Sequence, residues 1–167
     1  MNKPTWVKVV GVLTIIFGIL GLMGSMQEIL LPLVLQFQQE IVGAAIENGQ
    51  MSSHDIRMLA RVYEIFNVPE WYTVWSVIGG IISLLVCGFY LFSGIWFITV
   101  KPRADRLLLW ALSLSILLGL VKMAAAIAAF SGITIFIAVT VFIGIIIDFI
   151  LLIAVMANDR SVFRPAQ

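Results

Sequence analysis

The chain has 167 residues, 62% of them hydrophobic and 11% charged, with a formal net charge of +1. Soluble domains carry about 25% charged residues, so a chain this short and apolar takes lipid as its solvent, and the near-zero net charge argues against a nucleic-acid binder. A single cysteine, Cys87, and a single histidine, His54, exclude an intramolecular disulfide, a multi-cysteine metal site and bis-histidine haem ligation within one chain.

Residues 1–8 are short and basic, and an apolar stretch then runs from Val9 to Met26. Leu22 and Met23 spoil the small-x-small pattern of a signal-peptide cleavage site around Gly24 and Ser25, so the expectation is an uncleaved transmembrane helix over 7–26. From Gln27 to Tyr72 the composition turns mixed. Gln36, Gln39, Glu40, Gly43 and Glu47 fall on one face of an amphipathic helix over 30–46, with Pro32 in its first turn and Asn48-Gly49 as its stop. Ser52-x-x-Asp55 reads as a capping-box variant that opens a second helix, with His54, Arg57, Arg61 and Glu64 on its polar face. Residues 27–72 are therefore expected to form an extracytoplasmic helical hairpin, lying on the membrane or on its own bundle.

Trp71, Tyr72 and Trp75 form an aromatic cluster of the kind found at membrane interfaces, and apolar spans follow over 74–100, 107–130 and 133–157. A span of 24 residues covers about 36 Å, enough to cross a hydrocarbon core of about 30 Å with tilt. The predicted fold is all-α: a single membrane domain with four transmembrane helices in a bundle. Lys3, Lys8, Lys101, Arg103, Arg106, Arg160 and Arg164 lie on one side of that topology, and only Arg57 and Arg61 on the other. The positive-inside rule then puts both termini in the cytoplasm and the chain in the inner membrane. Six carboxylates (Glu28, Glu40, Glu47, Asp55, Glu64 and Glu70) accompany the two outer arginines. Such a face suits a basic partner, or simply keeps the hairpin solvated and off anionic lipid.

Helices in lipid associate through close packing of small residues and through hydrogen bonds. At helical spacing the first span presents Gly11, Thr14, Gly18, Gly21, Ser25 and Glu28, and the second Ser76, Gly80, Ser83, Cys87, Tyr90 and Gly94. The third presents Ala111, Ser115, Gly119, Lys122, Ala126 and Ala129, and the fourth Thr140, Gly144 and Asp148. These lines are expected to face inward as packing stripes. Glu28, at the outer end of the first span, either caps the hairpin or binds a cation.

Lys122 and Asp148 are the chemical anomaly, because each charge costs about 2.5–3.5 kcal/mol near the centre of a membrane helix. Their Cα atoms are expected to differ in height by about 10 Å, with each side chain leaning toward the other and Tyr90 near the depth of Asp148. Three readings follow: a structural ion pair, independent relief of each charge, or a proton or ion relay.

The opening Pro4-Thr5-Trp6-Val7-Lys8, followed by GVLTIIFGILGLMGS, is similar to the first span of many small, uncharacterised bacterial integral membrane proteins. In topology the chain resembles claudin-like tetraspan proteins, but it departs from them in lacking paired extracellular cysteines and a tryptophan-glycine motif. The sequence offers no catalytic constellation, cofactor motif or metal cluster. The expected function is a non-catalytic subunit or assembly partner, contacting lipid and either a second copy of itself or another membrane protein. The alternative is a small oligomeric transporter or channel that uses Lys122, Asp148 and Tyr90.

Overall fold

The computed structural model describes residues 4–47, 58 and 67–163. Four long helices organise it: α1 Thr5–Glu47, α2 Glu70–Ile98, α3 Ala104–Ala129 and α4 Gly132–Ala157, followed by a short 3-10 turn, Ser161–Phe163. Each of the four is long and apolar enough to cross a membrane, so the chain is a multi-pass, all-α protein with no strand among the described residues. The last three spans start and end within a few residues of the sequence expectation.

The first span does not. α1 continues through Pro32 to Glu47 as one helix, and its apolar part reaches from Thr5 to Gln38. Residues 30–46 are therefore not a separate surface helix. Pro32 withdraws the N–H that would bond the Glu28 carbonyl, yet ending the helix there would leave several more backbone groups unpaired in hydrocarbon. The second arm of the expected hairpin, with His54, Arg57 and Arg61, lies outside the described residues, apart from a helical, exposed Met58.

α1 and α2 pack antiparallel along most of their length. A Cβ added to Gly11 would meet Ile98, one at Gly94 would meet Thr14, one at Gly18 Leu91, one at Gly21 Cys87, and one at Gly80 Ser25 and Ile29. The partners thus descend α2 as they ascend α1, and glycines from both helices let the two backbones approach. α3 then pairs with α2 and α4 with α3, whereas α4 barely touches α1.

Local signals explain the two tight turns. α2 ends in a pair of bonds typical of a left-handed C-terminal cap: Val100 N–H to the Phe97 carbonyl at 3.0 Å and Lys101 N–H to Trp96 at 3.2 Å. Val100 takes the left-handed position (φ 56°) that glycine usually fills. Between α3 and α4, Ser131 and Thr134 form a reciprocal capping box, with Ser131 N–H on Thr134 Oγ1 at 2.8 Å.

Two apolar layers bracket the polar interior. At the end carrying the termini, Val7, Val10, Phe97, Leu108, Leu112, Leu151 and Val155 are buried together with Phe163. At the far end Tyr72 packs with Ala126 and Ala129, flanked by Leu31, Val68 and Trp75.

Candidate functional site

Between those layers lie two polar clusters at different depths. The first joins three helices. Lys122 Nζ of α3 pairs with Glu28 Oε1 of α1 at 2.5 Å and donates to Ser83 Oγ of α2 at 3.1 Å. Both charged side chains are largely buried, 16% exposed for Lys122 and 20% for Glu28. Ser83 is buried and donates its own hydroxyl hydrogen bond to the Gly79 carbonyl at 2.7 Å. Glu28 Oε2 is buried without a hydrogen-bond partner among the described residues, so among them the ammonium is the main support of this carboxylate.

The second cluster also joins three helices. Asp148 of α4 accepts from the Tyr90 hydroxyl of α2 on Oδ1 at 2.7 Å and from Ser115 Oγ of α3 on Oδ2 at 2.6 Å. Asp148 and Tyr90 are both buried. No lysine or arginine lies within ion-pair distance of Asp148 among the described residues. Cys87 and Ser25 sit between the clusters, with Ser25 Oγ 3.9 Å from Cys87 Sγ and bonded to the Gly21 carbonyl at 2.7 Å.

Lys122 and Asp148 therefore do not pair with each other, which sets aside the first of the three readings, a direct ion pair between them. The axial separation explains this. Asp148 is level with Ser115, seven residues from Lys122 on α3, which is about 10 Å along the axis. Glu28 is much nearer in height. Gly80, one turn from Ser83, faces Ser25 and Ile29, so Glu28 lies within a turn of the lysine. The Tyr90–Asp148 contact places the tyrosine where the sequence put it.

Glu28 is the residue that sequence reasoning undervalued. Its place at the end of the Gly11–Ser25 stripe was the available signal, because that stripe turns inward: Gly11, Thr14, Gly18 and Ser25 are all buried. The stripes of α2 and α3 also face inward at Gly80, Ser83 and Gly119, the last with its missing Cβ 2.8 Å from Ile145 Cγ1. The α4 stripe splits. Asp148 is buried, but Gly144 and Thr140 are exposed, and nothing lies within 4 Å of a Cβ built on Gly144. The inward placement expected for Gly144 is thus corrected: α4 turns only its Asp148 edge to the bundle, and Thr140 bonds back to the Phe136 carbonyl at 3.0 Å.

Chemically, one cluster is a buried ion pair and the other a carboxyl group held by neutral hydroxyl donors. Tyr90→Phe or Ser115→Ala removes one of the two donors to Asp148. Each is expected to lower stability by about 0.6–2 kcal/mol, the span of values for hydrogen bonds between membrane helices, measured by unfolding in mixed micelles. An unchanged midpoint in both variants would show that the hydroxyls contribute nothing to holding α4. Among the described residues no group of three or more His, Cys, Asp or Glu side chains is placed to hold a metal ion. The sequence matches no protein-family model, no curated protein and no solved structure.

Proposed function

We propose that this chain is a non-catalytic integral subunit or assembly partner of other membrane proteins, seated in the inner membrane with both termini in the cytoplasm. The observation that carries this reading is the outward face of α4. Thr140 and Gly144 are the small residues of the four stripes that are exposed, with open space in front of Gly144, and small residues are what let a second helix approach closely in lipid. The interior supports the same reading. Glu28, Lys122 and Ser83, and separately Asp148, Tyr90 and Ser115, are engaged with one another across the helices, as expected for groups that fix register.

Purification in mild detergent is expected to yield the chain with a second copy of itself or with a defined membrane partner. Gly144→Leu is expected to release that partner while leaving the thermal midpoint of the isolated chain unchanged. A chain that elutes alone from the native membrane, or a complex indifferent to Gly144→Leu, argues against the proposal.

The second reading, a small oligomeric transporter or channel, draws on the polar groups that reach the interior from all four helices at two depths. Proton or ion flux in liposomes that is lost in Asp148→Asn would favour it over the subunit reading.

A further inference from the structure

The end of the bundle that carries the termini gathers cations from separate parts of the sequence. Lys101, Arg103 and Arg106 are exposed in the turn between α2 and α3 and in the first turn of α3. Arg160 comes from the other end of the chain. It is brought there because the 3-10 turn folds back: Phe163 is 3% exposed, stacks on Phe97 at 4.7 Å and meets Trp6 edge-on at 6.2 Å. The Phe163 carbonyl accepts from Arg103 N–H at 3.2 Å, which ties the fold-back to the start of α3. The Arg160 guanidinium then lies 4.0 Å from Asp105 in the first turn of α3.

Two carboxylates share this corner with the four cations. Asp105 faces Arg160, and Asp159 accepts from Ser161 N–H at 2.9 Å and from Ser161 Oγ at 2.8 Å. Positive charge remains in excess. Arg103 adopts a left-handed backbone (φ 63°) and precedes α3 without giving it a side-chain cap. The positive end of the α3 dipole therefore adds to the same field.

Depth decides what such a cluster meets. Trp96, in the last turn of α2, and Trp110, in the second turn of α3, both expose their rings at the apolar perimeter, Trp110 by 71%. Exposed indoles of membrane helices settle at the boundary between hydrocarbon and headgroups. The cations lie one to two turns beyond them, at the level of lipid phosphates. Guanidinium groups fit phosphate oxygens through paired N–H donors.

We infer that Lys101, Arg103, Arg106 and Arg160 form a binding site for the phosphate headgroup of an anionic lipid, assembled by the fold-back of Phe163. It holds whichever partner α4 takes, and its test does not use that partner.

The protein would be reconstituted in nanodiscs of phosphatidylcholine with or without phosphatidylglycerol. Phosphatidylglycerol is expected to raise the thermal midpoint and to remain bound in native mass spectrometry, with both effects weakened by salt. Arg103→Gln/Arg106→Gln/Arg160→Gln is expected to bind it on the order of 100-fold more weakly, from about a factor of five per arginine near a charged surface. Its midpoint in phosphatidylcholine alone should be unchanged. Phe163→Ala keeps every charge but frees Arg160, so it should lose part of the phosphatidylglycerol effect. Inorganic phosphate serves as the free-anion arm and should not reproduce the shift. Equal phosphatidylglycerol binding by the triple variant overturns the site. A full shift from inorganic phosphate overturns the lipid assignment, and an unchanged response in Phe163→Ala overturns the role of the fold-back.

Discussion

Lys122→Met is expected to lower the stability of the bundle by about 3–5 kcal/mol, the cost of stranding one member of a buried ion pair. The reason is local. Glu28 Oε1 faces the ammonium, while Glu28 Oε2 is buried with no hydrogen-bond partner among the described residues, so removing Lys122 leaves a carboxylate with no compensating group among them. The reverse truncation, Glu28→Leu, leaves Lys122 with Ser83 as its named partner. It should cost less, because a long lysine can reach toward the membrane surface. Removing both charges, Glu28→Leu with Lys122→Met, is expected to recover most of the loss, since well-packed apolar side chains often replace a buried pair without penalty. The swap Glu28→Lys with Lys122→Glu should also outperform either single reversal. The swap Lys122→Asp with Asp148→Lys should not, because those residues belong to different clusters. Denaturant titration in mixed micelles measures all of these on one scale. Additive single effects, with no recovery in the double variant, would show that Glu28 and Lys122 do not act as a pair.

How much of this arrangement was legible in the sequence differs from residue to residue. Four spans followed from apolar length alone, because hydrocarbon leaves a backbone little choice but helix. The buried edges of α1, α2 and α3 followed from small residues at helical spacing, and for Gly11, Gly18, Gly21, Gly80 and Gly119 each missing Cβ lies within 3.2 Å of a neighbouring side chain. Pro32 misled because a proline in a mixed-composition stretch looks like a helix start. What the composition does not show is packing: Leu31, one residue earlier, lies against the buried Tyr72 cluster, so the chain is still held against the bundle as helix where the proline occurs. Partner choice was the other blind spot. Periodicity gives the face of a residue but not the register between helices, so it brought Lys122 and Asp148 to one interior without excluding a better-placed Glu28. Gly144 shows the same limit from the other side. Three small or polar residues in line cannot reveal that α4 is a peripheral helix which buries little more than the Asp148 edge.

That register is held at its tightest point by Gly80, and Gly80→Leu is expected to disrupt the bundle more than any other single glycine substitution. A Cβ there would stand 2.7 Å from Ile29 Cγ1, 3.0 Å from the Ser25 carbonyl oxygen and 3.1 Å from the Ile29 backbone nitrogen. Two of those three atoms are backbone, so a side-chain rotation cannot relieve the contact, and α1 and α2 must separate. Even Gly80→Ala should cost about 1–3 kcal/mol, the usual range for overpacking, and leucine should cost more. Separation at this height also reaches the ion pair, because Glu28 precedes Ile29 on α1 and Ser83 follows Gly80 by one turn on α2. The loss from Gly80→Ala combined with Lys122→Met should therefore differ from the sum of the single losses by more than the ~0.5 kcal/mol expected of independent sites. Gly144→Ala supplies the contrast, since nothing stands within 4 Å of the added carbon. It is expected to leave the stability of the isolated chain within about 0.5 kcal/mol of its starting value, as for a surface substitution. Equal losses at the two glycines would mean that helix flexibility, rather than the approach of α1 to α2, sets their effect, and the packing explanation for the glycine stripes would fall with it.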